Sequence, residues 1–199
     1  IGDGYGITTN YINRLNQGQK NGGLGDEFIL PHEKLDHLAL IKTYTTNGQT
    51  PDSAGTSTAI HSGFKTKSGL IGLSNSSKRG DCTSEKKELE SIMDVFKQLG
   101  KSVGLVTNTR VTHATPAAVY SHSFDRNWED DSKVPEDCLQ DDIALQLINS
   151  NIDLVLGGGR RHFLPIEVLN QKGKRKDSRN LIEEFKTNGG VFLNDNNDF

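Results

Sequence analysis

The chain lacks the features of a membrane-spanning or nucleic-acid-binding protein. No stretch of its 199 residues approaches the roughly 18 consecutive apolar residues that a membrane-spanning helix needs. The net charge of −3 is small and negative, so the composition gives no electrostatic basis for binding nucleic acid. With 33% hydrophobic and 25% charged residues, the composition is that of a globular domain or of part of a larger one.

Both ends of the sequence lack the boundaries of a complete domain. The chain opens on IGDGYG, where only Ile1 represents the strand that normally precedes a glycine-rich turn, and this opening does not resemble a signal peptide. The other end stops on NDNNDF, and NDNND lacks the glycine and the closing glutamate of a calcium loop. We therefore expect a fragment without a signal peptide that ends in a solvated tail.

Cysteine is scarce. Cys82 and Cys138 are the only two in the sequence, and they form no CxxC or other metal-ligand spacing. They are either two unrelated buried thiols or, as we prefer, a disulfide of an extracellular protein. The triplet Asn75-Ser76-Ser77 is a glycosylation acceptor sequence that fits the same compartment, which makes Asn75 the candidate glycosylation site.

Several familiar motifs are also missing. HEKLDH (32–37) spaces its histidines at i and i+5 rather than at i and i+4, so we expect a surface loop and not a zinc protease helix. GDGYG and GGGRRH lack the GxGxxG dinucleotide fingerprint, and DSAGT lacks the GxSxG of an α/β hydrolase. The basic run KGKRK (172–176) lies in a predicted connection, where we expect a solvated loop, with a weak anion-binding patch as the alternative.

The chain does contain a regular alternation of helical and strand patterns. Apolar residues recur at helical spacing over 85–99, where Ser84 can cap a helix and Gly100 can end it. The other predicted helices are 7–20, 139–150 and 178–188 (ended by Gly189), and the predicted strands are 37–45, 68–74, 102–108, 152–156 and 190–193. This alternation is typical of an α/β domain with a largely parallel sheet, in which ligands collect where strands end and helices begin.

The run TPDSAGTSTAI (50–60) places an acid, several hydroxyl residues and a glycine at a predicted helix start, although Gly, Ser and Thr are mediocre or poor helix formers. One explanation is structural, because Asp and Ser are preferred N-cap residues that each contribute about 1 kcal/mol. The functional alternative is that Ser53 is a nucleophile, next to Asp52, where the helix dipole favours an anion. No adjacent histidine fits a triad, so a metal is the better candidate for activating the serine.

Two further segments hold candidate site residues. His113 and Thr115 follow the predicted strand 102–108, where the histidine is either a hydrogen-bonded loop residue or a metal ligand. Arg126, in SFDRNW, is either a surface salt-bridge partner or a bidentate clamp for phosphate oxygens, because its guanidinium is a planar fork. Neither segment decides the function on its own.

The order and spacing of several blocks are more specific. IGDGYGITT, TPDSAGTSTA, GKSVGLVTNTRVTHATPAAVYSH, DRNW and QDDIALQLINSNIDLVLGGGRRHF resemble the alkaline phosphatases of animals, over most of 1–160 and more weakly over 160–199. The resemblance implies the amino-terminal half or so of such an enzyme. It implies an α/β fold, an alkaline-phosphatase-like sandwich with a central, mostly parallel sheet flanked by helices, incomplete here, and one partial catalytic domain over 1–199.

The resemblance also implies a chemistry, the metal-dependent hydrolysis of phosphate monoesters through a phosphoserine. Ser53 matches the phosphorylated serine of the family, which also contacts a zinc ion. Asp52 matches the residue that orients the neighbouring arginine, and Arg126 matches the arginine that binds phosphate oxygens.

For the metals, the resemblance implies two Zn²⁺ and one Mg²⁺. Asp3 matches the aspartate that bridges one zinc and the magnesium, and His113 and Thr115 match the pair that contributes to the magnesium site. In the family, the cysteines that match Cys82 and Cys138 form a disulfide.

The sequence departs from the family in two ways. TSTAIHSG (56–63) is more polar than the family helix, and we expect Ser57, His61 and Ser62 to pack rather than react. The remaining zinc ligands of the family have no match, and a catalytic zinc needs three protein ligands. We therefore expect the isolated chain to bind zinc poorly and to be inactive, whereas the full-length parent would be active.

The resemblance further implies a homodimer, a lipid anchor in the full-length protein, and a location on the extracellular face of the cell membrane or in the medium. Small phosphate monoesters are the implied substrates, and no specific binding of nucleic acid is expected. The alternative from another class is a non-catalytic surface protein of the same fold that binds ligands or partners. A related sulfatase or phosphodiesterase would typically use Thr or Cys as nucleophile, so Ser53 together with Arg126 favours the monoesterase.

Overall fold

The computed structural model describes residues 1–166 and 173–194 and divides into two compact units, Ile1–Lys42 and Thr43–Phe199. The helices and strands, in chain order, are α1 (Ile7–Lys20), α2 (Ser53–Ser62), α3 (Ile92–Gln98), β1 (Gly104–Arg110), α4 (Ala114–Ala117), α5 (Ile143–Ile148), β2 (Leu154–Gly158) and α6 (Leu181–Thr187). Short 3₁₀ helices cover Pro31–Lys34, Asp131–Lys133 and Arg160–Phe163. None of the helices in the described part of the chain is long and apolar enough to cross a membrane.

The amino-terminal unit consists of α1 and the segment that follows it. The predicted helix 7–20 is confirmed, and it is followed by a 3₁₀ turn whose His32 is exposed. The predicted strand 37–45 is wrong, because the only β-type pairing described there is a single bridge from Thr45 to Gly48. A strand needs a neighbour for its backbone groups, and within the amino-terminal unit the side chains of Leu38, Leu40 and Ile41 stay 94%, 85% and 81% exposed.

The second unit contains the sheet, which in the described residues is a pair of parallel strands. β1 pairs with β2 in the register Gly104↔Leu154, Leu105↔Val155 and Val106↔Leu156, with an irregularity before Arg110↔Gly158. Both strands were predicted and lie two residues later than expected. The parallel pairing supports the α/β class with a mostly parallel sheet, incomplete in this chain.

The helix predicted over 85–99 is shorter than expected. It begins at Ile92, since Ser91 Oγ accepts from the Asp94 amide at 3.2 Å and the Asp94 carboxylate accepts from the Ser91 amide at 2.9 Å. Ser84 is therefore not the cap, and its hydroxyl accepts from the Lys78 amide in a preceding turn. Before the helix the chain pairs with 72–74, through the bond from the Leu89 amide to the Gly72 carbonyl at 2.8 Å.

The other predicted elements are partly confirmed. α5 and α6 lie inside the predicted ranges 139–150 and 178–188, and Gly100 and Gly189 adopt the left-handed conformation that ends a helix. The segment 190–193 is irregular, so the predicted strand there is wrong. Residues 68–74 form only isolated bridges, although Leu70, Ile71 and Leu73 are fully buried.

The basic run 172–176 was expected to be a solvated loop, and this expectation is wrong for Arg175. The Arg175 side chain is 0% exposed and hydrogen-bonds to the carboxylates of Asp142 and Asp177. Lys172 lies outside the described residues, as does the predicted tail from residue 195 onward. The sequence pattern missed this ion pair because its partners lie 33 positions away or just beyond the run.

Among the described residues, the core of the second unit consists of three buried clusters. One joins α2, α4 and α5 through Ala54, Ile71, Ala114, Ala117, Ala118 and Ile143. A second packs α5 and α6 around Val111, Ala144, Phe163, Leu164, Leu181 and Ile182. The third contains Leu70, Leu73, Phe124, Trp128 and Cys138. The first cluster contains Ala54 and Ala114, which directly follow Ser53 and His113 in the chain. The third contains Trp128, two residues after Arg126.

Candidate functional site

Ser53 is the first residue of α2, and Asp52 is its N-cap. Asp52 Oδ1 accepts from the Gly55 amide at 3.1 Å, while Oδ2 accepts from the Gly69 amide at 3.0 Å. The unusual composition of this helix follows from its packing. A Cβ on Gly55 would come within 2.5 Å of Thr45 Cγ2, and Ala54 is completely buried. The structural and the functional interpretations of Asp52 and Ser53 are therefore compatible.

The polar residues further along α2 pack as expected. Ser57 Oγ donates to the Thr115 carbonyl at 2.5 Å, and this bond joins α2 to α4. Ser62 Oγ donates to the Thr58 carbonyl, one turn earlier in the same helix. His61 is buried, and this burial lowers the pKa of its imidazole. These contacts account for the polar residues of α2 by packing.

Arg126 meets Asp52 and His113 directly. Its Nη1 donates to Asp52 Oδ2 at 3.1 Å, and its Nη2 lies 3.1 Å from His113 Nε2. The Arg126 and Asp52 side chains are 22% and 24% exposed, so both reach the surface of the unit. Burial acts to raise the pKa of Asp52, but hydrogen bonds from Gly55, Arg126 and Gly69 outweigh it, and the pKa lies below its ordinary value.

The loop that carries Arg126 is fixed by its backbone and by a buried aromatic residue. The Arg126 amide donates to the Gly69 carbonyl at 2.9 Å, so the same loop residue, Gly69, binds both Asp52 and Arg126. Trp128, two residues on, is 5% exposed and packs edge-on against Phe124. The guanidinium is thus presented by an ordered segment.

His113 and Thr115 lie just past the end of β1. His113 is the N-cap of α4, and its Nδ1 accepts from the Thr115 amide at 3.4 Å. Its amide donates to the Arg110 carbonyl at 3.0 Å, which closes a tight turn at the strand end. The other ring nitrogen faces Arg126, so the structure brings His113, Arg126 and Asp52 into one chain of contacts.

Asp3 belongs to the amino-terminal unit, Ile1–Lys42. It is exposed in a glycine-rich turn where Gly4 has a φ of +68°, a conformation that favours glycine. The turn leads into α1, and the Asn10 amide donates to the Gly6 carbonyl at 3.0 Å.

Sequence reasoning missed a second polar cluster around Glu129. Its carboxylate accepts from Arg110 Nε at 2.7 Å and Nη2 at 2.9 Å, and from Thr112 Oγ1 at 2.6 Å. His162 Nδ1 lies 2.6 Å from Asp130 Oδ2, and its Nε2 lies 3.3 Å from Glu129 Oε2. The signals were present as the acidic run after DRNW and the histidine after GGGRR.

The donors present fit only part of a metal site. In residues 1–166 and 173–194, no three His, Cys, Asp or Glu side chains come together in a way that could hold an ion. The imidazole of His113 and the hydroxyls of Ser53 and Thr115 are nitrogen and oxygen donors of the kind that Zn²⁺ and Mg²⁺ accept. They are too few to complete such a site among themselves.

Two features of the second unit match an oxidising compartment. Cys82 and Cys138 form a disulfide, so the two-thiol alternative is wrong. Asn75 is exposed, with Thr46 Oγ1 donating to its side-chain oxygen. The acceptor asparagine is therefore accessible at the surface of this unit.

Comparison with known proteins gives one consistent result. The sequence matches the family model described as alkaline phosphatase over residues 1–199. The tissue-nonspecific alkaline phosphatase of Homo sapiens is 41% identical over 201 residues, covering 94% of this chain and 38% of that protein. The alkaline phosphatase of Gadus morhua is 42% identical over 199 residues, covering 93% and 42%. This chain thus spans about two fifths of the length of these relatives.

Solved structures agree with this result. The alkaline phosphatase of a psychrophilic Shewanella sp. aligns with a TM-score of 0.72 at 26% identity, covering 98% of this chain and 40% of that chain. The Thermus thermophilus enzyme also gives 0.72, at 29% identity and coverages of 95% and 34%. A variant of the alkaline phosphatase of the Antarctic bacterium TAB5, solved with Mg bound in its M3 site, gives 0.64 at 25% identity, covering 90% and 45%. The chain described here belongs to the alkaline phosphatase family.

Proposed function

We propose that the full-length protein containing this chain hydrolyses phosphate monoesters, with Ser53 as the nucleophile that becomes phosphorylated. The observation that carries the proposal is the contact chain from Asp52 through Arg126 to His113, beside the first residue of α2. An arginine held this way presents a fork to an oxyanion next to a serine hydroxyl, in a protein whose family is named for the reaction.

Each residue has a distinct part in this proposal. Ser53 Oγ attacks phosphorus and displaces the alcohol, and water later attacks the phosphoserine and releases inorganic phosphate. The dipole at the start of the ten-residue α2 favours the negative phosphate. The guanidinium of Arg126 binds two of the equatorial oxygens, and Asp52 fixes the orientation of that guanidinium.

The proposed cofactors are two Zn²⁺ and one Mg²⁺. When bound, such ions lower the pKa of a coordinated hydroxyl and stabilise the charge of the transferring phosphoryl group. Asp3, Ser53, His113 and Thr115 are the residues of this chain that would contribute to holding them. Because these donors are too few for a catalytic zinc, we expect the 199-residue chain alone to bind zinc poorly and to be inactive.

The cellular setting is also a proposal. We place the full-length protein on the extracellular face of the membrane, held by a lipid anchor, or in the medium, as a homodimer that acts on small phosphate monoesters. The disulfide and the exposed Asn75, as glycosylation site, support the extracellular location. Residues 1–199 would then form one partial catalytic domain of that enzyme.

The test is to trap the phosphorylated serine in the full-length protein. The protein is incubated with zinc, magnesium and labelled phosphate at mildly acidic pH, and the labelled peptide is identified by mass. We expect the label on Ser53, its loss in Ser53→Ala, and its retention in Ser62→Ala, a matched substitution at the other end of α2. Activity without label on Ser53 would contradict the assignment, and the absence of both would favour a non-catalytic binding protein of the same fold.

A further inference from the structure

Glu129 joins the two segments that carry Arg126 and His113. Its carboxylate binds Arg110 through two nearly parallel N–H bonds and Thr112 through a hydroxyl, at distances between 2.6 and 2.9 Å. Arg110 is the last residue of β1, and Thr112 directly precedes His113. A bidentate bond between guanidinium and carboxylate fixes both distance and orientation, which a single bond does not.

Both ends of this connection are anchored. On the strand side, Thr112 is fully buried, and the amide of His113 is bonded to the carbonyl of Arg110. On the loop side, the Trp128 carbonyl accepts from the Ile143 amide at 2.9 Å and the Glu129 carbonyl accepts from the Ala144 amide at 3.2 Å, which ties the loop to the start of α5. Glu129 is therefore held on the same loop as Arg126, three residues further along the chain.

The two segments also meet through the contact between Arg126 Nη2 and His113 Nε2 at 3.1 Å. Under the proposed function, both of these groups have other partners during the reaction, because Arg126 binds phosphate and His113 serves the metal site. Their contact cannot be the one that keeps the segments in place throughout a turnover. The ion pair between Glu129 and Arg110 is different, because neither residue has a part in the proposed reaction. The Glu129 side chain is 14% exposed.

We propose that Glu129, acting through Arg110 and Thr112, is a positioning residue that holds the guanidinium of Arg126 at the correct place for a phosphate next to His113. This inference rests on the proposed function and deepens it, because none of the sequence motifs assigns a role to Glu129. Its carboxylate does not touch the phosphate. Its effect is on the geometry of the group that does.

The experiment uses the full-length protein loaded with zinc and magnesium, and the substitution Glu129→Gln. The measurements are kcat and KM for p-nitrophenyl phosphate, the inhibition constant of inorganic phosphate, and the thermal midpoint. The inhibition constant of phosphate should rise about tenfold, the size expected for loss of a supporting hydrogen bond behind a ligand-binding group. KM should rise with it, and more than kcat falls.

A matched control separates positioning from general stability. Glu184 forms the same type of fork with Arg179, at 3.0 and 2.5 Å, at the start of α6. Glu184→Gln should leave the phosphate inhibition constant within twofold of the wild type. Arg110→Gln should resemble Glu129→Gln, and the double variant should be no worse than either single one, since one shared interaction is removed only once.

The outcomes separate the two proposals. If the wild type hydrolyses the substrate through Ser53 but Glu129→Gln changes only the thermal midpoint, Glu129 is structural and this inference is wrong while the proposed function stands. If Glu129→Gln and Glu184→Gln raise the inhibition constant equally, the effect is general loosening and the inference is again wrong. A wild type that neither hydrolyses the ester nor binds phosphate overturns the proposed function and this inference together.

Discussion

Arg126 and Arg175 are both ion-paired arginines of the second unit, but they differ in how completely their donors are used. Arg175 is 0% exposed and makes bidentate bonds with two carboxylates, Asp142 and Asp177, with Asp131 at 3.8 Å. Arg126 is 22% exposed and bonds to one carboxylate oxygen and one ring nitrogen. Arg175 thus supports the fold, whereas Arg126 is exposed enough to take the phosphate-binding part that we propose for it.

The chemistry of the neighbours strengthens this contrast. Burial acts to raise the pKa of Asp177, but its hydrogen bonds from Arg175 and Arg179 outweigh the burial and lower it. Removal of Arg175 would leave the carboxylate of Asp142 buried without a counter-charge, which is costly. If Arg126 were removed, the Asp52 carboxylate would still accept hydrogen bonds from two backbone amides, and it would be accessible to solvent. Substitution of each arginine tests this contrast.

The largest effect is expected for Arg175→Ala. Because an uncompensated buried carboxylate remains, the free energy of unfolding should fall by about 3 to 5 kcal/mol. Urea denaturation of the full-length protein measures this loss. Arg179→Ala, which breaks a pair that is 40% and 36% exposed, is the control and should cost less than about 1 kcal/mol. Equal losses in the two variants would show that the burial of Arg175 confers no special stability.

The next effect is expected for Arg126→Ala, and it should appear in activity and not in stability. If Arg126 has the role proposed above, the loss of one transition-state donor should lower kcat/KM for p-nitrophenyl phosphate about a hundredfold. The free energy of unfolding should change by less than about 1 kcal/mol, because the pair with Asp52 is partly exposed. A loss of stability as large as that of Arg175→Ala would remove the distinction between the two arginines.

The smallest effect concerns acid stability, through Asp130. Burial acts to raise its pKa, but hydrogen bonds from His162 and Ser132 outweigh burial, and the pKa lies below the ordinary value. A carboxyl with a lowered folded-state pKa contributes stability above its unfolded pKa of about 3.9, and this contribution is lost as the pH falls through the folded pKa. The groups that face it are His162 and Ser132, with Glu129 on the far side of the imidazole.

The measurement is the free energy of unfolding as a function of pH, for the wild type and Asp130→Asn. The wild type should lose stability more steeply below about pH 4 than the variant does. Parallel curves would mean that Asp130 titrates alike in the folded and unfolded states.

Local patterns in the sequence predicted the elements that depend on local interactions. α1 covers its predicted range, 7–20, although Gly18 lies inside it, and its backbone hydrogen bonds form within the helix itself. The start of α3 was misplaced because Ser84 and Ser91 are equally good caps in isolation, and pairing of Leu89 with Gly72 decides between them. The run 37–45 was apolar enough for a strand, but a strand also needs a partner that local pattern does not reveal.

The candidate site was predictable to the extent that it resembles a known family. Asp52, Arg126 and His113 lie in the sequence blocks that resemble the family, and they meet in the structure. Glu129 lies outside any motif, and its role depends on contacts with residues 17 and 19 positions away. Single-residue preferences describe Glu129 as an ordinary surface acid, and only the fold reveals the fork with Arg110.

The disulfide between Cys82 and Cys138, 56 positions apart, has a consequence for resistance to proteolysis. It encloses β1, His113, Thr115 and Arg126 in one covalent ring. A protease that cuts the chain once inside this ring cannot release either piece, because the sulfur bridge still joins them. The buried Trp128, two residues after Arg126, packs in the same cluster as Cys138 of the disulfide. We therefore expect Arg126 and His113 to stay in one covalent unit after a single cut that would separate an uncrosslinked chain into two pieces.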